Sequence, residues 1–173
     1  MAPEPEETLY EFCIMRHGIA ADRAVSSNDA KRSLTPEGRE RMEEIAQGLA
    51  KTGFEPDRIV SSPYLRATET AEIVARSLGS GLRVEPCEAL QPGGTPEALF
   101  DFLAKPAGRK AILLVGHEPD LSKLAASLVG AGRNHDFALK KGGSCLISLD
   151  HFPPRAPGRM IWWLTPRILR KLA

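Results

Sequence analysis

Two short, unbroken apolar runs in this sequence lead directly toward histidine. Residues 12–15 are followed by Arg16 and His17, and residues 111–115 are followed, after one glycine, by His117. Unbroken apolar runs of this length are typical of strands buried on both faces of a parallel sheet, where ligands bind at the carboxyl ends of the strands. The two runs therefore predict one site built on two strand tips. Arg16 beside the first histidine indicates an anionic ligand.

Signals for strands and helices alternate along most of the 173-residue chain. The predicted strands cover residues 9–15, 58–61, 82–86, 111–115, 144–149 and 160–164. Helix starts are predicted at three Thr-Pro pairs, Thr35-Pro36, Thr95-Pro96 and Thr165-Pro166. This alternation predicts an α/β fold, a three-layer α/β/α sandwich whose mostly parallel central sheet has an antiparallel edge strand late in the chain. Residues 1–8 are predicted to be a disordered leader, and residues 9–173 a single domain.

Composition argues against several classes of protein. The 23 basic and 22 acidic side chains nearly cancel, so we expect neither nucleic acid nor an anionic membrane surface as a partner. No apolar run approaches membrane-spanning length and no signal peptide is recognised, which favours a cytoplasmic protein. The cysteines Cys13, Cys87 and Cys145 are odd in number and lack CxxC spacing. They are therefore predicted to be buried, reduced thiols.

The candidate site residues are of types that can transfer a phosphoryl group. Because a neighbouring cation disfavours the imidazolium form, Arg16 favours a neutral His17 whose lone pair can attack phosphorus. Arg66 lies one turn into a predicted helix, near an amino terminus that attracts anions. His117 follows Gly116, whose missing side chain permits close approach. A single histidine at a strand end is more often structural than catalytic, but the joint pattern favours an active site.

The motifs resemble those of the histidine phosphatase superfamily, whose hallmark is the strand end Arg16-His17-Gly18. Further matching features are Leu34-Thr35-Pro36-Glu37-Gly38, the segment 61–71, and Gly116-His117-Glu118. The compact length favours the small phosphohistidine phosphatases of the SixA type, as do Leu90-Gln91-Pro92-Gly93-Gly94 and Leu164-Thr165-Pro166. The resemblance covers about residues 9–170, with the motifs in the expected order.

The resemblance implies a phosphoglycerate mutase-like sandwich in which His17 is the nucleophile. Arg16, Arg66 and His117 would complete the catalytic site and, together with Gly18, bind the phosphate. It implies no metal and no other cofactor. The pocket would accept phosphate or other oxyanions. The implied substrate is a phosphorylated protein, a histidine-containing phosphotransfer domain of a signalling relay.

The sequence departs from the resemblance where many members carry a general acid. Gln91 and Pro92 occupy that region, and Glu88 is the nearby candidate acid. An imidazole, whose conjugate acid has a pKa of about 6.5, leaves more easily than an alkoxide, so a site without a strong acid suits phosphohistidine. Two alternatives stay open. One is a phosphatase of small phosphate monoesters or anhydrides with Glu88 as the acid, and the other is a non-catalytic module that binds a phosphorylated ligand.

Three further expectations concern the surroundings of the site. The polar segment 19–34 is predicted to be a loop that lies over the site. Asp120 is expected to cap the helix that follows His117. Trp162 and Trp163, as neighbours on a strand, are expected to face opposite ways, one into the core and one toward solvent.

Overall fold

The computed structural model describes residues 9–105, 108–132 and 137–173, so the predicted disordered leader lies outside the described residues. The strands are β1 (Tyr10–Arg16), β2 (Arg58–Ser61), β3 (Val84–Pro86), β4 (Ala111–Gly116), β5 (Ser144–Leu149) and β6 (Arg159–Leu164). The α-helices are α1 (Pro36–Lys51), α2 (Leu65–Ser77), α3 (Pro96–Leu103), α4 (Asp120–Leu128) and α5 (Pro166–Leu172). Short 3-10 helices span Arg23–Val25, Asp29–Lys31 and Glu88–Leu90.

The strands form one sheet in the order β3-β2-β4-β1-β5-β6. β4 pairs in parallel with both β1 and β2, and β3 extends this parallel part beside β2. β5 is antiparallel to both of its neighbours, β1 and β6. The mostly parallel sheet with a late antiparallel edge is therefore confirmed.

The pairing of β1 with β4 brings the two predicted strand tips together. Arg16 lies opposite Gly116 in the parallel register, so His17 and His117 leave the sheet as neighbours. The backbone N–H of His17 continues the ladder and donates to the carbonyl oxygen of Gly116 at 3.1 Å. The ends of these two strands thus fix the spacing of the two histidines.

Both faces of the sheet are covered by helices, which confirms the three-layer sandwich. Along β1, Cys13 and Met15 face one hydrophobic cluster, and Phe12 and Ile14 face the other. The first cluster takes its helical residues from α1, α2 and α5, including Met42, Ile45, Leu49, Val74 and Leu169. The second takes them from α3 and α4, including Leu99, Leu103, Leu121, Leu124 and Leu128.

The Thr-Pro pairs begin helices as predicted. The hydroxyls of Thr35, Thr95 and Thr165 accept hydrogen bonds from backbone N–H groups in the first turns of α1, α3 and α5. Proline stands at the first position of each of these helices, where no backbone N–H is needed. Local capping chemistry therefore sets where these three helices begin.

Two expectations about individual side chains are wrong. Asp120 is the first residue of α4 rather than its cap, and its carboxylate accepts a hydrogen bond of 2.8 Å from the backbone N–H of Gly93. Trp162 and Trp163 do face opposite ways, but both are partly buried, each against a different hydrophobic cluster. Because helices cover both faces of the sheet, neither tryptophan of β6 is left fully to solvent.

Candidate active site

The residues predicted to form the site meet at the carboxyl end of the sheet. The rings of His17 and His117 lie with their centroids 5.1 Å apart, and the two residues are only 6% and 4% exposed. Arg66, from the first turn of α2, places its Nε 3.3 Å from Nε2 of His17. Arg16 is close enough for its positive charge to lower the pKa of both histidines. The structure therefore brings all four side chains together.

Hydrogen bonding orients the imidazole of His17. Its Nδ1 lies 2.7 Å from the carbonyl oxygen of Gly18. A carbonyl oxygen only accepts, so Nδ1 carries the ring proton and the lone pair is on Nε2. The Nε–H of Arg66 donates toward that lone pair. The arrangement holds Nε2 as a directed nucleophile.

Burial keeps this imidazole neutral. It lowers the pKa of His17 to about 3, and the charges of Arg66 and Arg16 add to the effect. The sequence suggested that the neighbouring cation would be the cause, whereas desolvation is the larger one. At neutral pH His17 is therefore uncharged, with its lone pair available.

His117 is oriented by Ser62, the residue that follows β2, which the sequence analysis did not assign to the site. The Ser62 hydroxyl lies 2.8 Å from Nε2 of His117 and accepts a hydrogen bond of 3.2 Å from the backbone N–H of Tyr64. A serine hydroxyl has one hydrogen and two lone pairs, so it can also donate that hydrogen to Nε2, and the ring proton of His117 then lies on Nδ1. Burial lowers the pKa of His117 to about 4, with Arg66 contributing. This ring is therefore also neutral.

Two buried nitrogens of the site lack a hydrogen-bond acceptor among the described residues: Nε of Arg16 and Nδ1 of His117. Buried donors without partners are rare in folded proteins and call for an explanation. Arg16 is otherwise held in place, because its Nη1 donates to the carbonyl oxygen of Leu139 at 2.9 Å. Fixed N–H donors without acceptors beside a neutral nucleophile form a cradle suited to an oxyanion.

Arg66 is held by Asp29 of the segment 19–34, which the sequence analysis predicts to be a loop over the site. Its Nη1 donates to the carbonyl oxygen of Asp29 at 2.7 Å, and its Nη2 donates to Oδ2 of the same residue at 3.1 Å. Burial raises the pKa of the Asp29 carboxyl, but the hydrogen bonds and charges of Arg66 and Arg32 outweigh it and lower the pKa overall. The sequence analysis did not assign Asp29 to the site.

Gly18 supports the site through its backbone. Its N–H donates to the hydroxyl of Thr70 at 3.0 Å, and that hydroxyl donates to the carbonyl oxygen of Arg66 at 2.7 Å. A Cβ at Gly18 would lie 2.6 Å from Cγ of Met42, so α1 packs too closely to admit a side chain. In this structure the N–H of Gly18 thus binds Thr70, and the assignment of Gly18 to phosphate binding stays a prediction.

Glu88 lies at the edge of the site and is exposed, as the first residue of the 3-10 helix Glu88–Leu90. Among the hydrogen bonds of the described residues, none joins its carboxylate to His17, Arg16, Arg66 or His117. The two residues that follow Glu88, Ala89 and Leu90, line a cavity of about 20 Å³ together with His117. Glu88 therefore stays a candidate acid at the margin of the site.

Within residues 9–105, 108–132 and 137–173, no group of three or more His, Cys, Asp or Glu side chains is arranged to hold a metal ion. No helix in the same ranges is long and apolar enough to cross a lipid bilayer.

Comparison with known proteins agrees with this geometry. The family model of the histidine phosphatase superfamily, branch 1, matches residues 12–92. The phosphohistidine phosphatase SixA of Escherichia coli is 33% identical over 117 residues, which are 66% of this chain and 71% of SixA. A structure of the protein histidine phosphatase SixA complexed with tungstate superimposes with a TM-score of 0.79 at 27% identity, covering 92% of this chain and 99% of that one.

The phosphoglycerate mutase of Bacillus anthracis shares the fold, with a TM-score of 0.72 at 14% identity over 97% of this chain and 99% of the mutase. The predicted phosphoglycerate mutase-like fold is therefore confirmed. With two strand-tip histidines, flanking arginines, a matching family model and SixA relatives, this chain belongs to the histidine phosphatase superfamily and is a phosphatase similar to SixA.

Proposed function

We propose that this protein removes the phosphoryl group from phosphohistidine on a partner protein, through a phosphohistidine intermediate at His17. The observation that carries the proposal is a buried, neutral His17 whose Nδ1–H is bound to the Gly18 carbonyl and whose Nε2 faces a cradle of N–H donors. Its similarity to SixA supports the substrate class. A histidine-containing phosphotransfer domain of a signalling relay fits this class.

In the first step, the Nε2 lone pair of His17 attacks phosphorus while the phosphorus–nitrogen bond of the substrate breaks. The electron pair of that bond goes to the departing imidazole, which leaves neutral when its other nitrogen carries a proton. His17 becomes a phosphoimidazolium, and the carbonyl of Gly18 stabilises its positive charge through Nδ1–H. Forming the new bond consumes the Nε2 lone pair, which frees the Nε–H of Arg66 to donate to a phosphoryl oxygen.

In the second step, water attacks the phosphorus bound to His17. The electron pair returns to Nε2, and His17 leaves as the same neutral tautomer, so neither step needs a proton transfer at this ring. The N–H groups of Arg16, Arg66 and His117 stabilise the charge on the phosphoryl oxygens in both steps. The products are orthophosphate and the dephosphorylated partner histidine.

The preference for phosphohistidine follows from the leaving group. A neutral imidazole departs without a strong acid, whereas an alkoxide needs a proton. Hydrolysis of small monoesters or anhydrides is the second candidate, and it is supported by the position of Glu88 beside the segment that lines the His117 cavity. In that reaction Glu88 would protonate the leaving oxygen.

The nucleophile is tested by trapping the intermediate. Wild-type protein and His17→Asn are mixed with a ³²P-phosphorylated phosphotransfer domain and quenched within milliseconds in alkali. We expect an acid-labile, alkali-stable phosphoenzyme and a burst of dephosphorylated partner in the wild type alone. No phosphoenzyme in the wild type, or equal labelling of His17→Asn, would contradict the mechanism. In particular, a wild type that binds the phosphoprotein without turnover would indicate a binding module.

The substrate class is tested by varying the leaving group. Rates with the phosphoprotein, phosphoramidate and a series of aryl phosphates are compared in wild type and Glu88→Gln. Glu43→Gln, on the exposed side of α1, is the matched control. We expect rates to fall steeply as the leaving group becomes more basic, with no effect of Glu88→Gln. Faster turnover of esters that Glu88→Gln abolishes would favour the second candidate instead.

A further inference from the structure

The carboxylate of Asp29 lies beside the arginine of the proposed phosphate cradle, although the phosphate that this cradle would bind is also negatively charged. Asp29 is bound on one side by Arg66, through Nη1 to its carbonyl oxygen and Nη2 to Oδ2. On the other side, Nε and Nη2 of Arg32 each lie 2.8 Å from Oδ1. The side chains of Arg66 and Arg32 are 4% and 13% exposed, whereas that of Asp29, which bridges them, is 37% exposed.

This bridge determines where the Arg66 guanidinium points. With both Nη atoms engaged by Asp29, the planar group presents its Nε–H to Nε2 of His17. The ring of Tyr64 lies 5.1 Å from Cζ of Arg66 and supports it from one face. An unrestrained arginine would lose considerable side-chain freedom each time it took up this orientation.

The bridge also has an electrostatic cost. A negative charge near the cradle repels a bound phosphate, so a carboxylate is unfavourable for binding unless it serves another step. Arg32 offsets part of that charge through its two contacts to Oδ1. Each Nη of Arg66 keeps a second N–H, which stays available to a phosphoryl oxygen.

We infer that Asp29 is a positioning residue for phosphoryl transfer, which holds Arg66 so that its Nε–H passes from His17 to the phosphoryl oxygen as the new bond forms. The inference rests on the proposed phosphoenzyme mechanism and assigns a catalytic task to the loop 19–34. Asp29 acts through Arg66 and contacts no reacting atom itself. Its removal should therefore slow the chemical step while leaving binding of the anion unharmed or tighter.

The test compares Asp29→Ala and Asp29→Asn with wild type. Asp22→Asn is the matched control, because Asp22 lies in the same loop and its carboxylate accepts from the backbone N–H of Ala24, which an asparagine can also do. The readouts are kcat and KM for phosphoramidate, the single-turnover rate of phosphoenzyme formation, and unfolding temperature. Measurements are made well below that temperature, so that only folded protein contributes.

We expect Asp29→Ala to lower kcat at least about tenfold, because small misplacements of a catalytic group cost up to about 100-fold. KM should be unchanged or lower, and Asp22→Asn should match wild type within about twofold. Asparagine keeps the size of Asp29 and one acceptor oxygen, so the fall in kcat in Asp29→Asn should be smaller than in Asp29→Ala but measurable. If Asp29→Ala does not fold, the kcat of Asp29→Asn tests the inference instead. A fall in kcat of less than about tenfold in Asp29→Ala, or an unchanged kcat in Asp29→Asn, would overturn the inference.

A double-mutant cycle with Arg66→Lys separates positioning from loop folding. If Asp29 acts through Arg66, adding Asp29→Ala to Arg66→Lys should cost little more than Arg66→Lys alone. Fully additive losses would contradict the inference. Failure of the proposed function would give a different result from failure of this inference. In that case the wild type itself would form no phosphoenzyme from phosphoramidate.

Discussion

The two buried imidazoles make the stability of this protein sensitive to acid. Burial lowers the pKa of His17 to about 3 and that of His117 to about 4, from an ordinary value of 6.5. In the unfolded chain both rings regain that ordinary value. Between pH 6.5 and the lower values, the unfolded chain therefore binds more protons than the folded one. The contribution of these two histidines to the free energy of unfolding is fully present above about pH 7 and is lost as the pH is lowered through this window.

The size of the effect follows from these values. At pH 5, an unfolded-state histidine is protonated roughly 30-fold over its neutral form, so each buried histidine lowers the free energy of unfolding by about 2 kcal/mol relative to pH 8. This figure depends on the unfolded-state pKa and hardly on how far below 5 the folded-state pKa lies. The two histidines together contribute about 4 kcal/mol, a large share of the 5–15 kcal/mol that stabilises a typical protein.

The assay is urea unfolding at pH 8 and pH 5 in buffers without phosphate, because a bound anion would stabilise the folded state. The variant is His17→Asn, whose amide can still donate to the Gly18 carbonyl. Its loss of stability between the two pH values should be about 2 kcal/mol smaller than that of wild type. His151→Asn, which alters an exposed histidine in a turn, is the matched control. An equal loss in wild type and His17→Asn would refute the reasoning.

Two further predictions concern the residues that hold the site. Ser62→Ala removes the hydroxyl bound to His117 and should lower kcat about fivefold, the equivalent of one hydrogen bond of about 1 kcal/mol. Ser61→Ala is the control, because it removes a neighbouring buried hydroxyl that donates to a backbone carbonyl and should leave the orientation of His117 intact. An equal fall in kcat in both variants would contradict the role of Ser62 in orienting His117. Thr70→Val keeps the shape but leaves the buried N–H of Gly18 unpaired, which should cost about 1–3 kcal/mol of stability in urea unfolding. Unchanged stability would show that this hydrogen bond contributes nothing.

The fold could be predicted largely from local features. Apolar runs of strand length, and Thr-Pro pairs that cap helices, act through neighbours in sequence, so they are visible without coordinates. The same holds for the pairing of His17 with His117, because two parallel strands with polar tips place those tips at one edge of the sheet. The prediction that one of the two tryptophans faces solvent is wrong, because their exposure depends on how helices cover both faces of β6.

The supporting residues could not be predicted, because their contacts span long stretches of chain. Ser62 and His117 are 55 residues apart, Asp29 and Arg66 are 37 apart, and Gly18 and Thr70 are 52 apart. Ser62 and Thr70 lie in the matching segment 61–71, but a serine in a turn or a threonine in a helix has many ordinary uses, so the segment does not say what either side chain contacts. Only the packing of α2 and the loop 19–34 against the strand ends reveals them.

The cause of neutrality at His17 changes what Arg16 is for. If the neighbouring cation kept the ring neutral, Arg16 would act mainly by tuning the nucleophile. Burial is the larger cause, so the ring would stay uncharged at neutral pH without it. Arg16 is then available for a different task, and its buried, unpartnered Nε points to binding the phosphoryl oxygens. The site thus divides its tasks: the fold supplies a neutral nucleophile through burial, and the arginines supply charge where the transition state develops it.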